Sequence, residues 1–142
     1  MASRTLQDLL LESRYRGRAT AVFAGPLDKV RVICPSGLRF FCKQGVISEE
    51  EFRDVLQLDL LIEGVDDDGV RRRAAVEISP RADAGDLERA VRRAAIVART
   101  GTPRWPVVAT TEVAPEMGDL VRGSSAALVQ QNGDVEYWPE AG

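Results

Sequence analysis

Apolar residues along this chain recur first at helical spacing and later in alternation, and each change of period marks a new element. Leu6, Leu9 and Leu10 fall at i, i+3 and i+4, which predicts a short amphipathic helix over residues 4–13, stopped by Gly17. After the turn-former Gly25-Pro26, Val30-Arg31-Val32-Ile33 has β character. Pro35 and Ser36 open a helical turn that places Leu38, Phe41 and Cys42 on one face, and Gly45 ends it. Ser48 followed by Glu49-Glu50-Glu51 is a capping box, in which the Ser48 hydroxyl and the Glu51 carboxylate each satisfy a first-turn N–H. The helix it opens runs to about Leu56 and buries Phe52, Val55 and Leu56.

Asp59-Leu60-Leu61-Ile62 then predicts a strand, and Asp66-Asp67-Asp68-Gly69 a hairpin tip. Residues 74–79 form the returning strand, closed by Pro80, which has no N–H to donate to a ladder. Leu87, Ala90, Val91, Ala94, Ala95 and Ala98 make the clearest helical stripe in the chain, with Asp83 as N-cap and Asp86 in the first turn. Most of the stripe is small, so this helix is expected to lie close against a sheet until Gly101 and Pro103 end it. Residues 105–111 read as a buried strand and 114–122 as a helix. Residues 126–130 and 135–138 read as a last hairpin around Asn132-Gly133. From Ser48 onward the order is α-β-β-α-β-α-β-β, which implies an α/β fold with a mixed sheet and helices on its faces. Residues 17–142 are expected to form one domain with its core at 48–111, preceded by the helical segment 1–16.

At 142 residues, with 44% hydrophobic and 29% charged, the chain has the balance of a globular protein that needs no disulfide or structural metal for its core. No apolar run approaches the roughly 18–20 residues of a membrane span. The Leu cluster at the start is interrupted by Asp8 and Glu12 and makes a poor signal peptide, so a cytoplasmic location is expected. There is no histidine, and the cysteines are Cys34 and Cys42 alone, which excludes Ser-His-Asp and Cys-His chemistry and makes a four-ligand zinc site improbable. Catalysis would have to run on carboxylates, hydroxyls, arginines and metals. Net charge is −3, yet arginines crowd residues 71–104, and such a stripe suits either phosphate contacts or a solvated helix face.

One constellation carries chemistry. Strand alternation puts Glu77 and Ser79 on one sheet face, with Val76 and Ile78 directed into the core. Asp59 opens the partner strand, so a carboxylate from each strand can converge at one end of the hairpin. Two carboxylates with a backbone carbonyl and waters suit Mg²⁺, which would activate water and neutralise a phosphodiester. Other outcomes are open for each residue: Asp59 binding turn amides, Glu77 pairing with Arg89 or Arg93, and Glu51 serving as a helix cap.

Glu51 on a helix, Asp59 opening a strand, the Glu77-Ile78-Ser79 tripeptide and the helix that follows together resemble the core of the PD-(D/E)XK nuclease superfamily. The run SEEEFRDVLQLDLLIEG and the later AVEISPRADAGDLERAVRRAA resemble a group of bacterial proteins of that superfamily. Their third motif reads Glu-x-Ser, and their helix carries Asp-x-x-Arg-Ala-x-x-Arg-Ala, matched here by Asp86, Arg89, Ala90, Arg93 and Ala94. The match covers about half the chain.

The resemblance implies a nuclease-like domain acting on or binding DNA. Asp59 and Glu77 would hold Mg²⁺ or Mn²⁺, and Ser79 and Glu51 would assist catalysis. Ser79 stands where active members carry Lys, and a short neutral hydroxyl lacks that charge. Arg81, Arg89, Arg92 or Arg93 would have to supply it and contact phosphates. The alternative expectation is an inactive nuclease-fold module that binds DNA or protein, with residues 4–13 pairing copies into a homodimer or engaging another protein.

Overall fold

In a computed structural model of the chain, residues 27–130 and 135–139 are described, together with Leu6, Leu9, Leu10, Ser13 and Phe23. The strands are β1 (Asp28–Val32), β2 (Leu60–Val65), β3 (Arg71–Arg81), β4 (Arg104–Glu112), β5 (Ala127–Gln130) and β6 (Val135–Tyr137). The helices are α1 (Arg39–Lys43), preceded by a 3₁₀ turn at Pro35–Leu38, then α2 (Glu49–Val55), α3 (Ala84–Ala98) and α4 (Met117–Gly123). The six strands form one sheet in the order β1-β2-β3-β4-β5-β6. The pairs β1·β2, β2·β3 and β5·β6 are antiparallel, while β3·β4 and β4·β5 are parallel. The expected mixed α/β architecture is therefore present. The 131–134 turn and most of residues 1–26 lie outside the described residues. Of the predicted first helix, Leu6, Leu9 and Leu10 are helical and exposed.

Local chemistry explains the boundaries. Ser48 Oγ accepts from Glu51 N–H and the Glu51 carboxylate accepts from Ser48 N–H, so the capping box that starts α2 is reciprocal. Asp83 and Asp86 form the same device at α3. At the hairpin tip, Asp66 Oδ1 accepts from both Asp68 N and Val70 N, and Gly69 takes the positive φ of 77° that the turn requires. Gly64 is needed for space. A Cβ there would come within 2.9 Å of Leu27 Cβ and 3.0 Å of Asp28 O.

Both sheet faces are covered. On one, Leu60, Ile62, Val76, Ile78, Trp105 and Val107 pack with Phe23, Leu27 and Trp138. On the other, Leu61 and Ala75 meet Phe52 and Val55 of α2 and Ala94 and Val97 of α3. Further along that face, Val108 and Leu128 meet Leu87 and Ala90 of α3 and Met117 and Val121 of α4. Burial from both sides explains the continuous apolar runs Val107-Val108-Ala109 and Ala127-Leu128-Val129 in the parallel part of the sheet.

Two expectations are corrected. The strand expected to close at Pro80 continues to Arg81. β2 pairs with β3 only as far as Val76, so beyond that point β3 has no neighbour on that side and a missing N–H costs nothing. The second correction is the rotation of α3. Its buried residues are Asp86, Leu87, Ala90, Arg93, Ala94, Ile96 and Val97, while Ala95 is exposed. The inward face is therefore turned toward the Asp86/Arg93 side of the stripe, and Arg93 points inward.

Candidate functional site

The carboxyl end of β3 brings Asp59 and Glu77 together by exchange of backbone and side-chain bonds. Where β2 stops, the Ile78 N–H would lack a strand partner, and Asp59 Oδ2 accepts it at 2.8 Å. In return Asp59 N–H donates to Glu77 Oε2 at 3.4 Å. Asp59 thus extends the sheet by a side chain, bonding a strand amide where sequence suggested turn amides, while remaining close enough for its charge to act on Glu77.

Glu77 lies on the α3 face of the sheet and is 3% exposed. Arg93 Nη1 donates to its Oε1 at 2.5 Å, and Arg89 Nε stands 3.5 Å from the same oxygen. Arg93 also reaches Asp54 Oδ1 through Nε at 3.0 Å and the Gln57 carbonyl at 3.4 Å. Asp54 is shared with Arg92, whose Nε lies 2.7 Å from Oδ2, and Arg92 in turn binds Glu88 at 2.5 Å. Arg89 binds Asp86 at 2.6 Å. A belt of acids and arginines therefore ties α2, α3 and β3 together.

These neighbours pull the acids in different directions. Burial, joined by the Asp59 carboxylate, pushes Glu77 up to about 7, against the attraction of Arg93 and Arg89. Hydrogen bonds from Arg92 and then Arg93 hold Asp54 below the ordinary aspartate range. Asp86 is raised, chiefly by its burial.

Other residues singled out from sequence lie apart from this pair. Glu51 binds Arg99 and the Ser48 N–H. Arg99 is six residues beyond Arg93 on α3, about 9 Å along the helix axis, so Glu51 belongs to the groove between α2 and α3 and not to the carboxylate pair. Ser79 shares the Glu77 face, but its hydroxyl is spent on the Arg81 carbonyl at 3.2 Å. Arg81 is highly exposed and pairs with Glu112 at 3.0 Å. Of the four arginines expected at phosphate, each has a carboxylate partner in the chain itself.

Sequence reasoning missed Asp54, the acid that holds Arg93 and Arg92 from the α2 side. Its one available signal was position: it lies between the buried Phe52 and Val55 on α2. Among the described residues, no group of three or more Cys, Asp or Glu side chains is arranged to hold a metal ion. Likewise, none of their helices is long and apolar enough to cross a membrane. Comparison with protein-family models, curated proteins and solved structures gives no match.

Proposed function

We propose that the chain is a non-catalytic binding module of PD-(D/E)XK-like design, in which the position of the metal-binding carboxylates is retained and closed by arginine. One observation carries this reading: the buried Arg93 guanidinium lies 2.5 Å from Glu77 Oε1, where it would compete with a divalent cation, and it is itself anchored by Asp54. Arg93 already supplies the positive charge that makes burial of Glu77 tolerable, and removing it would leave an uncompensated carboxylate. Ser79 fits the same reading, since it adds no cation where active nucleases of this design carry one.

Binding rather than turnover also suits the pairing of Arg81, Arg89, Arg92 and Arg93. Engaging phosphates with them would first break intramolecular ion pairs, so DNA or protein recognition falls to other surfaces.

Calorimetry with Mn²⁺ and Mg²⁺ tests the proposal. Wild type is expected to show no stoichiometric binding and no cleavage of single-stranded, duplex or branched DNA. A one-site Mn²⁺ isotherm that disappears in Glu77→Ala would overturn it. That outcome would favour a second reading, a metal-dependent deoxyribonuclease, which the approach of Asp59 to Glu77 supports. In that case Asp59 and Glu77 would bind the ion, Arg93 would withdraw to Asp54, and Ser79 and Arg89 would face the phosphodiester.

A further inference from the structure

At the opposite end of the same strands lies a notch whose hydrogen-bond donors are unspent. β4 pairs with β5 only from Val107 onward, so residues 104–106 have no β5 neighbour. This is also why Pro106 is tolerated within an interior strand. The gap is a cavity of about 260 Å³ between the start of β4, Ser124 and Ser125 after α4, and Pro139 after β6. Arg104 sits four rows of the β3·β4 ladder from Val108, the partner of Glu77, so the notch is about 13 Å from the carboxylate pair.

The polar groups lining it all offer protons. Arg72 is held rigidly: Nε is bound to Asp66 at 2.5 Å and the guanidinium lies 4.7 Å over the Trp105 ring, leaving Nη1 and Nη2 without an acceptor among the described residues. Arg104 is exposed and makes no ion pair among those residues, and the hydroxyls of Ser124 and Ser125 have no partner there either. Among the described residues, no carboxylate lines the cavity. Ser125 holds its place at φ 54°, a left-handed conformation that costs a non-glycine residue energy and is often kept where a side chain is used. At the helix end beside it, the Val121 carbonyl accepts from Ser124 and Ala126 N–H and the Arg122 carbonyl from Ser125 N–H, so two of its last carbonyls are occupied. On the far side of Trp105, the Trp138 indole N–H is buried with no acceptor among the described residues.

Two guanidiniums with free N–H groups, that of Arg72 shared with Asp66, and two hydroxyls, with no acid among the described lining residues, form a complement to a multivalent oxyanion. The volume suits a small group, below the range of drug-sized pockets. The geometry points to a binding site for a phosphoryl group, as orthophosphate or the phosphate of a small monoester, held by Arg72, Arg104, Ser124 and Ser125. This site is independent of the carboxylate pair, and its failure would leave the proposal for Glu77 untouched.

Calorimetry and amide chemical-shift mapping at low salt, with orthophosphate, glycerol 3-phosphate and acetate as probes, test the assignment. One saturable site is expected for the phosphates, with shifts concentrated at the amides of Arg72, Arg104, Trp105, Ser124 and Ser125 and much weaker acetate binding. Arg104→Gln should weaken phosphate by about tenfold or more, the loss expected for a charged hydrogen bond. Arg81→Gln, at an exposed arginine elsewhere, and Glu77→Gln should leave it unchanged. Tighter binding of glycerol 3-phosphate assigns the ester as ligand, and equal or tighter binding of orthophosphate assigns the free ion. No saturation by about 10 mM phosphate, acetate binding as tight as phosphate, or full retention in Arg104→Gln would overturn the site.

Discussion

Replacing Glu77 by Gln gives the most direct measure of the competition around it. Burial and Asp59 raise the carboxyl from 4.5 to about 7, so between these values the folded protein holds a proton that the unfolded chain has released. The sign follows. The associated stability is fully present below about 4.5 and is lost as pH rises through about 7. At 1.36 kcal/mol per pH unit, this rise corresponds to about 3 kcal/mol. The amide introduced by Glu77→Gln does not titrate, and both proteins share every other ionisable group, so the difference between them isolates Glu77. Urea denaturation of both proteins from about pH 4.5 to about pH 8 supplies the assay. Wild-type stability relative to Glu77→Gln should fall by about 3 kcal/mol over that interval. A flat difference would show that burial and Arg93 cancel. A difference that grows with pH would show that the Arg93 pair dominates and that the carboxyl lies below 4.5, which would refute the reasoning.

The remaining predictions concern single contacts. Arg93→Met should cost about 1–2 kcal/mol in chemical denaturation at about pH 8, and less below pH 7 where Glu77 is already protonated, and adding Glu77→Leu should recover most of it. Gly64→Ala should cost about 1–3 kcal/mol, because the new methyl meets Leu27 Cβ and the Asp28 carbonyl; an unchanged urea midpoint would reject that contact. Ser125→Gly should gain about 1 kcal/mol by relieving its positive φ, while weakening phosphate in the titrations above. Ser48→Ala should cost about 1 kcal/mol through loss of the α2 cap.

Local chemistry made much of the fold readable from sequence. The Ser48 and Asp83 caps, the Asp66–Gly69 turn and the alternation about Glu77 each depend on residues a few positions apart. The rotation of α3 was not readable in this way. An apolar count favours Ala95 and Ala98 on the inner face, whereas Asp86 and Arg93 are the residues taken inside. Nothing near Arg93 in sequence signals this, since its partners Asp54 and Glu77 lie 39 and 16 residues away. The meeting of Asp59 with Glu77 was legible from hairpin geometry. The pairing of Glu77 with Arg89 or Arg93 was among the outcomes open from sequence, whereas Asp54 as the partner of Arg92 and Arg93 was not legible, because charge pairing across elements has no period. The notch likewise depends on where β5 begins relative to β4, a register that side-chain patterns leave open.

The strand order has a consequence for how the chain acquires its shape. Each described strand pairs with the strand before it in the chain, so none has to be threaded between two that are already joined. The sheet can grow outward from its first hairpin in the direction of synthesis, each strand docking on the edge left by the last. The parallel addition of β4 to β3 must wait for α3 to span the connection between them. Chains ending before residue 104 would therefore expose β3 as an unpaired edge, open to other chains. Chains extended through residue 112 would have covered it. A ribosome-arrest series sampling these lengths should show its main gain in protease resistance once β4 has cleared the exit tunnel.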